Sequence, residues 1–484
     1  MNYSGTNIVT AEWIESINVS HGTNENAELN IQGDEGGTLS VTSTEDAILT
    51  TGNININGAG SVNATSTGFD AINAGGDLAI KGSGNVNATG ASDGIRANGN
   101  ITIDDSGAVT ARATKDKGIG ADKNLTIKGG GTVEASSADG EALWSGGNIN
   151  ISDGSQVKAS SEKDAAVEAK GSLAATNASL NVNGVEYGVY AHKGITLDHA
   201  NVTVRASKGR YGGANALFTY QDDIVVKNGS TVDAFAEGEV SAAFSTRNDR
   251  PNEKGGHIYI SDSVVKAIAR YVESGSDGPD HYSNDQSGEV IPEHRGMNLG
   301  IFAQTYEGIT PATISIVRSK VTAEGDTAAI FALAISADGK AIGTIEIEGA
   351  IIQTPAGGKI IDYRYEEEYS RGISYEAGQT IGTGDAVVDS PYNEAVAKST
   401  VIAPSEEAKP EANPEEATPV VKPAKQQTLV TGAKAEPAEA KKNLPATGDA
   451  SPVGLAATAF AGVAAAFASL AALLAGFVAR RKRE

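Results

Sequence analysis

The chain has 484 residues, 58 glycines, no cysteine and a formal net charge of −23 at pH 7. The lack of cysteine excludes a disulfide framework and thiolate metal sites, and an acidic chain with no basic stripe before its last residues repels nucleic acid. Aromatic residues make up only 5% of the composition, which excludes a conventional large aromatic core.

Residues 1–28 precede the first clear repeat and are predicted to form an N-terminal cap or a truncated coil. They begin MNYSGTNIVTAEWIESINVS, without a basic start or an apolar segment, so they do not resemble a signal peptide. Because export requires such a peptide, an export signal later in the chain would imply that the sequence lacks an N-terminal part or starts at the wrong methionine.

Residues 29–353 carry a repeat of about two dozen residues, which is typical of stacked units. Apolar-x-apolar triplets start 25, 24, 23, 24, 24, 24 and 22 residues apart between Leu29 and Ile195. A valine and an alanine two residues apart follow nearly every triplet, as at Val86 and Ala88, and a third apolar pair comes later. Alternation with period two predicts strands, and three short strands bury their inner faces only when the units stack.

The repeat therefore predicts an all-β fold, a right-handed parallel β-helix of about eleven or twelve coils with three short strands per coil. A β-sandwich or a propeller is the main rival, but neither explains the period. Gly-Asn pairs such as Gly52-Asn53 and Gly99-Asn100 precede the first strands. We expect them to supply left-handed corners and asparagines that bond from coil to coil.

The coils lengthen towards the C-terminal end, and the largest insertion lies between Ala269 and Gly300. Its oxygen-rich side chains make calcium binding possible, with Asp277, Asp280, Asp285 and Glu289 as weak candidates; no cofactor is required. No residue is assigned to catalysis, although Asp262, Asp280, Glu293 and Arg295 are of the type that cleaves polysaccharides.

Aromatic residues become denser after residue 186. Exposed tyrosines can stack on sugar rings, so the candidate glycan contacts are Tyr187, Tyr190, Tyr211 and Tyr220. Phe218 and Phe244 are expected in the core. The repeat resembles the β-helical, pectate-lyase-like carbohydrate-binding domains of bacterial surface and plant-cell-wall-associated proteins, and this resemblance implies that the chain binds polysaccharide.

The C-terminal part divides into three predicted segments. Residues 354–402 are expected to cap the solenoid, because an open end is an exposed sheet edge. Residues 403–443 are rich in Pro, Ala, Glu and Lys and predict a disordered stalk across the cell wall. Residues 444–484 contain a pentapeptide, an apolar stretch and a basic tail in that order.

The pentapeptide is Leu444-Pro445-Ala446-Thr447-Gly448, and residues 453–479 are long enough to span a membrane before Arg480 to Arg483. This order resembles the LPxTG sorting signal of Gram-positive cell-wall surface proteins. The resemblance implies that a sortase transpeptidase cuts between Thr447 and Gly448 and joins the threonine carbonyl to peptidoglycan, which removes the membrane segment.

We therefore expect an extracellular, wall-anchored adhesin or carbohydrate-binding module whose partners are sortase, peptidoglycan and an extracellular polysaccharide or host-surface ligand. Two alternatives remain open. The scaffold could carry a polysaccharide lyase or hydrolase, or it could be a passive structural rod.

Overall fold

The structure is a computed structural model. It describes residues 1–11, 16–19, 27–105, 107–209, 212–248, 256–272, 298–306, 311–335, 343–365, 368–373 and 397–405. All of them lie in the first of two compact units, Met1–Gly278 with Pro292–Lys409. The second unit, Pro279–Ile291 with Pro410–Glu484, falls outside the described residues.

The described strands form three sheets, each built from one strand of every coil. Sheet 1 contains, in spatial order, β1 (Asn2–Tyr3), β4 (Glu28–Gly33), β7 (Asn53–Gly58), β10 (Leu78–Lys81), β13 (Ile101–Asp104), β16 (Leu125–Lys128), β19 (Ile149–Ile151), β22 (Ser172–Thr176), β25 (Gly194–Asp198), β28 (Ile224–Lys227), β31 (Ile258–Ser261), β34 (Thr313–Val317) and β37 (Thr344–Glu348). Sheet 2 contains β2 (Thr6–Ala11), β5 (Thr38–Ser43), β8 (Ser61–Ser66), β11 (Val86–Gly90), β14 (Ala108–Ala113), β17 (Thr132–Ser137), β20 (Gln156–Ser161), β23 (Ser179–Val185), β26 (Asn201–Ser207), β29 (Thr231–Gly238), β32 (Val264–Tyr271), β35 (Lys320–Gly325), β41 (Ser399–Pro404) and β38 (Ala350–Thr354). Sheet 3 contains β3 (Ile17–Val19), β6 (Ile48–Thr50), β9 (Ile72–Ala74), β12 (Ile95–Ala97), β15 (Ile119–Ala121), β18 (Leu143–Ser145), β21 (Val167–Ala169), β24 (Tyr187–Ala191), β27 (Gly213–Thr219), β30 (Val240–Asn248), β33 (Asn298–Tyr306), β36 (Ala328–Ile335), β40 (Glu368–Ile373) and β39 (Ile360–Tyr365).

Consecutive coils pair in parallel and in the register of the sequence repeat. Leu78 lies opposite Ile101, and Ile101 lies opposite Leu125, so equivalent triplet positions form columns along the rod. This confirms the predicted right-handed parallel β-helix. Sheet 1 has 13 strands among the described residues, one more than the upper predicted number of coils. The additional strand, Asn2–Tyr3, belongs to a coil formed by the N-terminal residues and lacks the apolar triplet.

The core is a set of apolar columns inside the rod. Leu125, Val133 and Ile119 face inwards from sheets 1, 2 and 3, and each is 0% exposed. Strand alternation places every second side chain in this interior, where apolar burial stabilises the fold by about 25 cal/mol per Å². Phe244 is also 0% exposed, which confirms its predicted core position.

A ladder of side chains joins the coils at the turn before sheet 1. The backbone N–H groups of Asp77, Asn100, Asn124, Asn148 and Ser172 each donate to the side-chain Oδ1 of the equivalent residue one coil earlier, over 2.7–3.2 Å. The predicted asparagine contacts between coils are therefore present.

The glycines that precede this ladder have a different role from the one predicted. Neither Gly76 nor Gly99 has a left-handed backbone; instead, a Cβ atom added to Gly76 would lie 2.3 Å from Oδ1 of Asn53. Most of the left-handed residues lie at the turn between sheets 1 and 2, where Asp105 has φ 48° and Asn177 also has φ 48°. The glycines are thus needed for close packing against the ladder.

Antiparallel strands end the parallel stack. β41 pairs with β35 in sheet 2, and β40 pairs with β36 in sheet 3, so both add to the last parallel strands of their sheets. β39, which contains Tyr363 and Tyr365, is the last strand of sheet 3. β41 continues to Pro404, two residues into the predicted stalk.

Candidate ligand-binding surface

The outer face of sheet 1 carries a shallow polar groove of about 640 Å³. It crosses the coils from β4 to β19 and is lined by Glu28, Asn53, Asn55, Asp77, Leu78, Ala79, Lys81, Asn100, Thr102, Asn124, Thr126, Asn148 and Asn150. Short polar side chains dominate this lining, and none of the lining side chains is aromatic.

The strand register explains the groove floor. Asn55, Ala79, Thr102, Thr126 and Asn150 lie opposite one another on consecutive strands and form a single outward column. Neighbouring strands are about 4.8 Å apart, so the column offers one polar group per coil at regular spacing. Ala79 is the smallest member, and its short side chain keeps the floor low at that point.

The groove has spare hydrogen-bonding capacity at one end. Asn55 donates from Nδ2 to Oε1 of Glu28 at 2.8 Å and to Oδ1 of Asn30 at 3.0 Å, so its amide is engaged. The side chains of Thr102, Thr126 and Asn150 make no hydrogen bond with any of the described residues. These three groups are available to hydroxyl or carbonyl groups of a ligand.

Three charged residues line the groove. Glu28 and Lys81 are exposed at its edge, whereas Asp77 accepts the backbone N–H of Asn100 through Oδ1 at 2.7 Å. The lining therefore carries two acidic groups and one basic group, and this balance gives no attraction for a polyanion.

The candidate tyrosines lie elsewhere. Tyr187 and Tyr190 are on β24 in sheet 3 and are only 5% and 7% exposed. Their rings stack on each other at 5.0 Å, and both contact Phe218 at 5.3 Å. The expected exposed platform is therefore wrong for this pair, because outward aromatic side chains of adjacent coils cover one another. Tyr220 is half-buried, and Tyr211 lies outside the described residues.

The other candidates are either engaged or outside the described residues. Asp262 forms a two-pronged ion pair with Arg318 at 2.8 and 2.7 Å, and these hydrogen bonds lower the pKa of its carboxyl group. The other polysaccharide-cleaving candidates Asp280, Glu293 and Arg295, the calcium candidates Asp277, Asp280, Asp285 and Glu289 and the sorting residues Leu444, Pro445, Ala446, Thr447 and Gly448 lie outside the described ranges. Within those ranges, no group of three or more His, Asp or Glu side chains is arranged to hold a metal ion.

The predicted membrane span, residues 453–479, is likewise beyond the residues that the structure describes. Among the described residues, no helix has the length and apolarity needed to cross a membrane.

Comparison with known families identifies the C-terminal segment. Residues 436–484 match the family described as the LPXTG cell wall anchor motif, and the matched range includes the predicted pentapeptide. No curated protein and no solved structure matches the chain. The anchor motif implies sortase processing and attachment to peptidoglycan. The chain is therefore a cell-wall-anchored surface protein.

Proposed function

We propose that the protein is a non-catalytic adhesin that binds an uncharged extracellular polysaccharide along the outer groove of sheet 1. The observation that carries this proposal is the column of short polar side chains across successive coils. Thr102, Thr126 and Asn150 supply, at the regular strand spacing, donors and acceptors that have no hydrogen-bond partner among the described residues. A linear polymer with hydroxyl groups on every unit matches such a surface better than a compact ligand does.

The charge of the protein supports an uncharged ligand. The chain has a net charge of −23, and the groove itself adds no excess of basic residues. A polyanion would be repelled unless a cation such as calcium bridged the two surfaces. We therefore include calcium as a variable in the binding test.

The carboxyl pair Glu141 and Glu168 is not arranged for glycoside hydrolysis. Most glycoside hydrolases use two carboxyl groups on opposite sides of the scissile bond, about 5 Å or more apart. Glu141 and Glu168 form a strongly perturbed carboxyl pair, but they are hydrogen-bonded directly to each other. This contact leaves no space for a sugar between them.

We also propose that residues 453–479 hold the protein in the membrane until sortase cuts between Thr447 and Gly448. The order of the motif, the apolar segment and the basic tail supports this step. Mass spectrometry of the C-terminal peptide released from purified cell walls should then identify Thr447 as the last residue of the chain.

The glycan proposal is tested by comparing two substitutions in the same coil. Thr102→Tyr places a large side chain on the groove floor in β13, whereas Thr110→Tyr places the same side chain on the outer face of sheet 2 in β14. The purified protein and both variants are titrated against plant, mucin and bacterial glycans, with calcium and with a chelator. Glycan length is measured after each incubation.

We expect the parent protein and Thr110→Tyr to bind one class of uncharged glycan and leave its length unchanged. Thr102→Tyr should weaken this binding by about tenfold or more, a loss of at least about 1.4 kcal/mol. Equal binding by both variants would place the ligand elsewhere. Shortened glycan would show that the protein is an enzyme. If the parent protein bound no glycan, the passive structural rod would be the remaining alternative.

A further inference from the structure

A cluster of ionisable side chains lies on the outer side of sheet 3, away from the groove. Its centre is Glu168 on β21, whose outward side chain stands between Trp144 on β18 and Tyr190 on β24 in the parallel register. Glu168 is only 7% exposed. A carboxylate this deeply buried is costly unless charged or hydrogen-bonding partners surround it.

Partners from three coils surround this carboxylate. Lys170 forms an ion pair with Oε1 of Glu168, and Nε2 of His192 lies 3.1 Å from the same oxygen. Lys170 and His192 are themselves 3.4 Å apart, and the His192 ring stacks on Tyr190 at 4.4 Å. Glu168 therefore has enough partners to remain ionised.

Glu141 lies just before β18, and its side chain is hydrogen-bonded to that of Glu168. Two carboxyl groups can form this bond only when one of them carries a proton. Asp164 adds a third negative charge nearby, and Lys117 adds a positive one that is already ion-paired with Asp116. The second negative charge of an ionised Glu141 would consequently lack a partner of its own.

We propose that Glu141 and Glu168 form a proton-sharing latch that joins neighbouring coils in acidic and neutral surroundings and releases them in alkaline surroundings. When the shared proton leaves, the hydrogen bond between the carboxyl groups becomes a repulsion between the buried charge of Glu168 and the half-buried charge of Glu141. The three coils that meet at β18, β21 and β24 then open locally, while the inner apolar columns keep the rest of the rod folded.

The electrostatics of the two groups agree with this geometry. Burial, the hydrogen bond to Glu168 and the charges of Glu168 and Asp164 raise the pKa of Glu141 to about 8. Burial alone would raise the pKa of Glu168, but hydrogen bonds with His192 and Glu141 and the charge of Lys170 lower it to about 2. Between these values the pair holds one proton.

The sign of the pH dependence follows from linkage. The usual pKa of a glutamate is about 4.3, so the unfolded chain loses the Glu141 proton well before the folded chain does. Between that pH and about 8, the folded state binds more protons, and its stability falls as the pH rises. Below a pH of about 4.3, the unfolded chain binds the Glu168 proton before the folded chain does, because the pKa of Glu168 is lowered in the folded state. The stability of the fold therefore falls as the pH falls towards 2.

The test uses the full chain and a nearly isosteric substitution. Glu141→Gln keeps a donor for Glu168 but cannot ionise, and the exposed Glu162→Gln serves as the matched control. Amide hydrogen exchange at β18, β21 and β24 is measured from pH 6 to pH 9.5 and corrected for the intrinsic effect of pH. Infrared spectroscopy at pH 7 is used to detect a protonated carboxyl group.

In the parent protein and in Glu162→Gln, we expect protection of the three strands to fall by about tenfold or more across this range. In Glu141→Gln, protection should fall less than in these two proteins, and one protonated carboxyl should be lost from the infrared spectrum; Glu186, whose pKa is raised to about 7, accounts for the pH dependence that remains. Constant protection in the parent protein, or the same infrared spectrum in Glu141→Gln and Glu162→Gln, would overturn the latch. If Glu141→Gln does not fold, the spectrum of Glu186→Gln decides the question, because the absence of a protonated-carboxyl band from that variant at pH 7 would also overturn the latch.

Discussion

The outer faces of sheets 1 and 3 belong to the same coils, yet they have opposite characters. On sheet 1 the outward column from Asn55 to Asn150 consists of short, partly exposed side chains with few charges. On sheet 3 the equivalent column contains, in its later coils, the long side chains of Trp144, Glu168 and Tyr190.

The length of the outward side chain, together with its burial, explains this difference. Strands of neighbouring coils are about 4.8 Å apart, so a threonine or an alanine leaves the space above it open to solvent. A glutamate or a tyrosine reaches the next coil, loses water and acquires a protein partner instead. One repeat can therefore present a solvated binding face on one side and a buried, titratable cluster on another.

The largest effect that we predict concerns the ladder at the edge of the groove. Asn124 accepts the N–H of Asn148 at 2.9 Å and donates to Oδ1 of Asn100 at 3.1 Å, whereas Asn150 in the same groove has no partner among the described residues. Asn124→Ala should lower the free energy of unfolding by about 1–3 kcal/mol, because two bonds between coils are lost. Asn150→Ala should change it by less than about 0.5 kcal/mol.

Urea denaturation of both variants measures this difference, and hydrogen exchange at the Asn148 amide locates it. Faster exchange at Asn148 is expected only in Asn124→Ala. Equal destabilisation by the two substitutions would mean that the groove floor and the ladder contribute equally to stability, which would contradict this prediction.

A smaller, pH-dependent effect is predicted on the sheet 3 side. Glu186 precedes β24, and burial together with the charge of Asp164 raises its pKa to about 7. Because a raised carboxyl pKa costs stability as the pH rises, Glu186→Gln should stabilise the protein by about 1–2 kcal/mol at pH 8 and leave it nearly unchanged at pH 4. Thermal unfolding at the two pH values measures this.

The exposed Glu162→Gln is again the control, and it should behave like the parent protein at both pH values. If Glu186→Gln stabilised the protein equally at pH 4 and pH 8, its effect would come from packing, and burial of the charge would not be its cause.

The repeat predicted most of the fold because its inward residues are visible in the sequence. Triplets such as Leu78 and Ile80 recur with a nearly constant period, and the structure pairs them in that register. The predicted number of coils was one too low, because the first coil, within the residues predicted as a cap or a truncated coil, has no such triplet at Asn2–Tyr3. The role of the glycines was also misjudged, since close approach to a side chain one coil away leaves no local signature.

The surfaces were harder to predict, since outward positions follow no single pattern. Tyr190 and Phe218 occupy equivalent positions of adjacent coils, and this repetition was the signal that they would cover each other. Glu141 and Glu168 lie at different positions of their coils, so the repeat gives no reason to pair them. Their contact depends on side-chain length and direction, which only coordinates show.

The smallest effect is predicted on the outer face of sheet 2, where long charged side chains remain exposed. Glu134 and Lys158 lie opposite each other on β17 and β20, with Oε1 and Nζ 3.9 Å apart and side chains 46% and 61% exposed. A double-mutant cycle with Glu134→Gln and Lys158→Met should give a coupling energy of about 0.2–0.5 kcal/mol, because water screens the pair. Moderate salt should reduce it further. A coupling above about 1 kcal/mol that persists in salt would show that side-chain length alone creates a strong contact between coils. In that case burial would not be the reason why the Glu141 and Glu168 pair interacts more strongly than exposed pairs do.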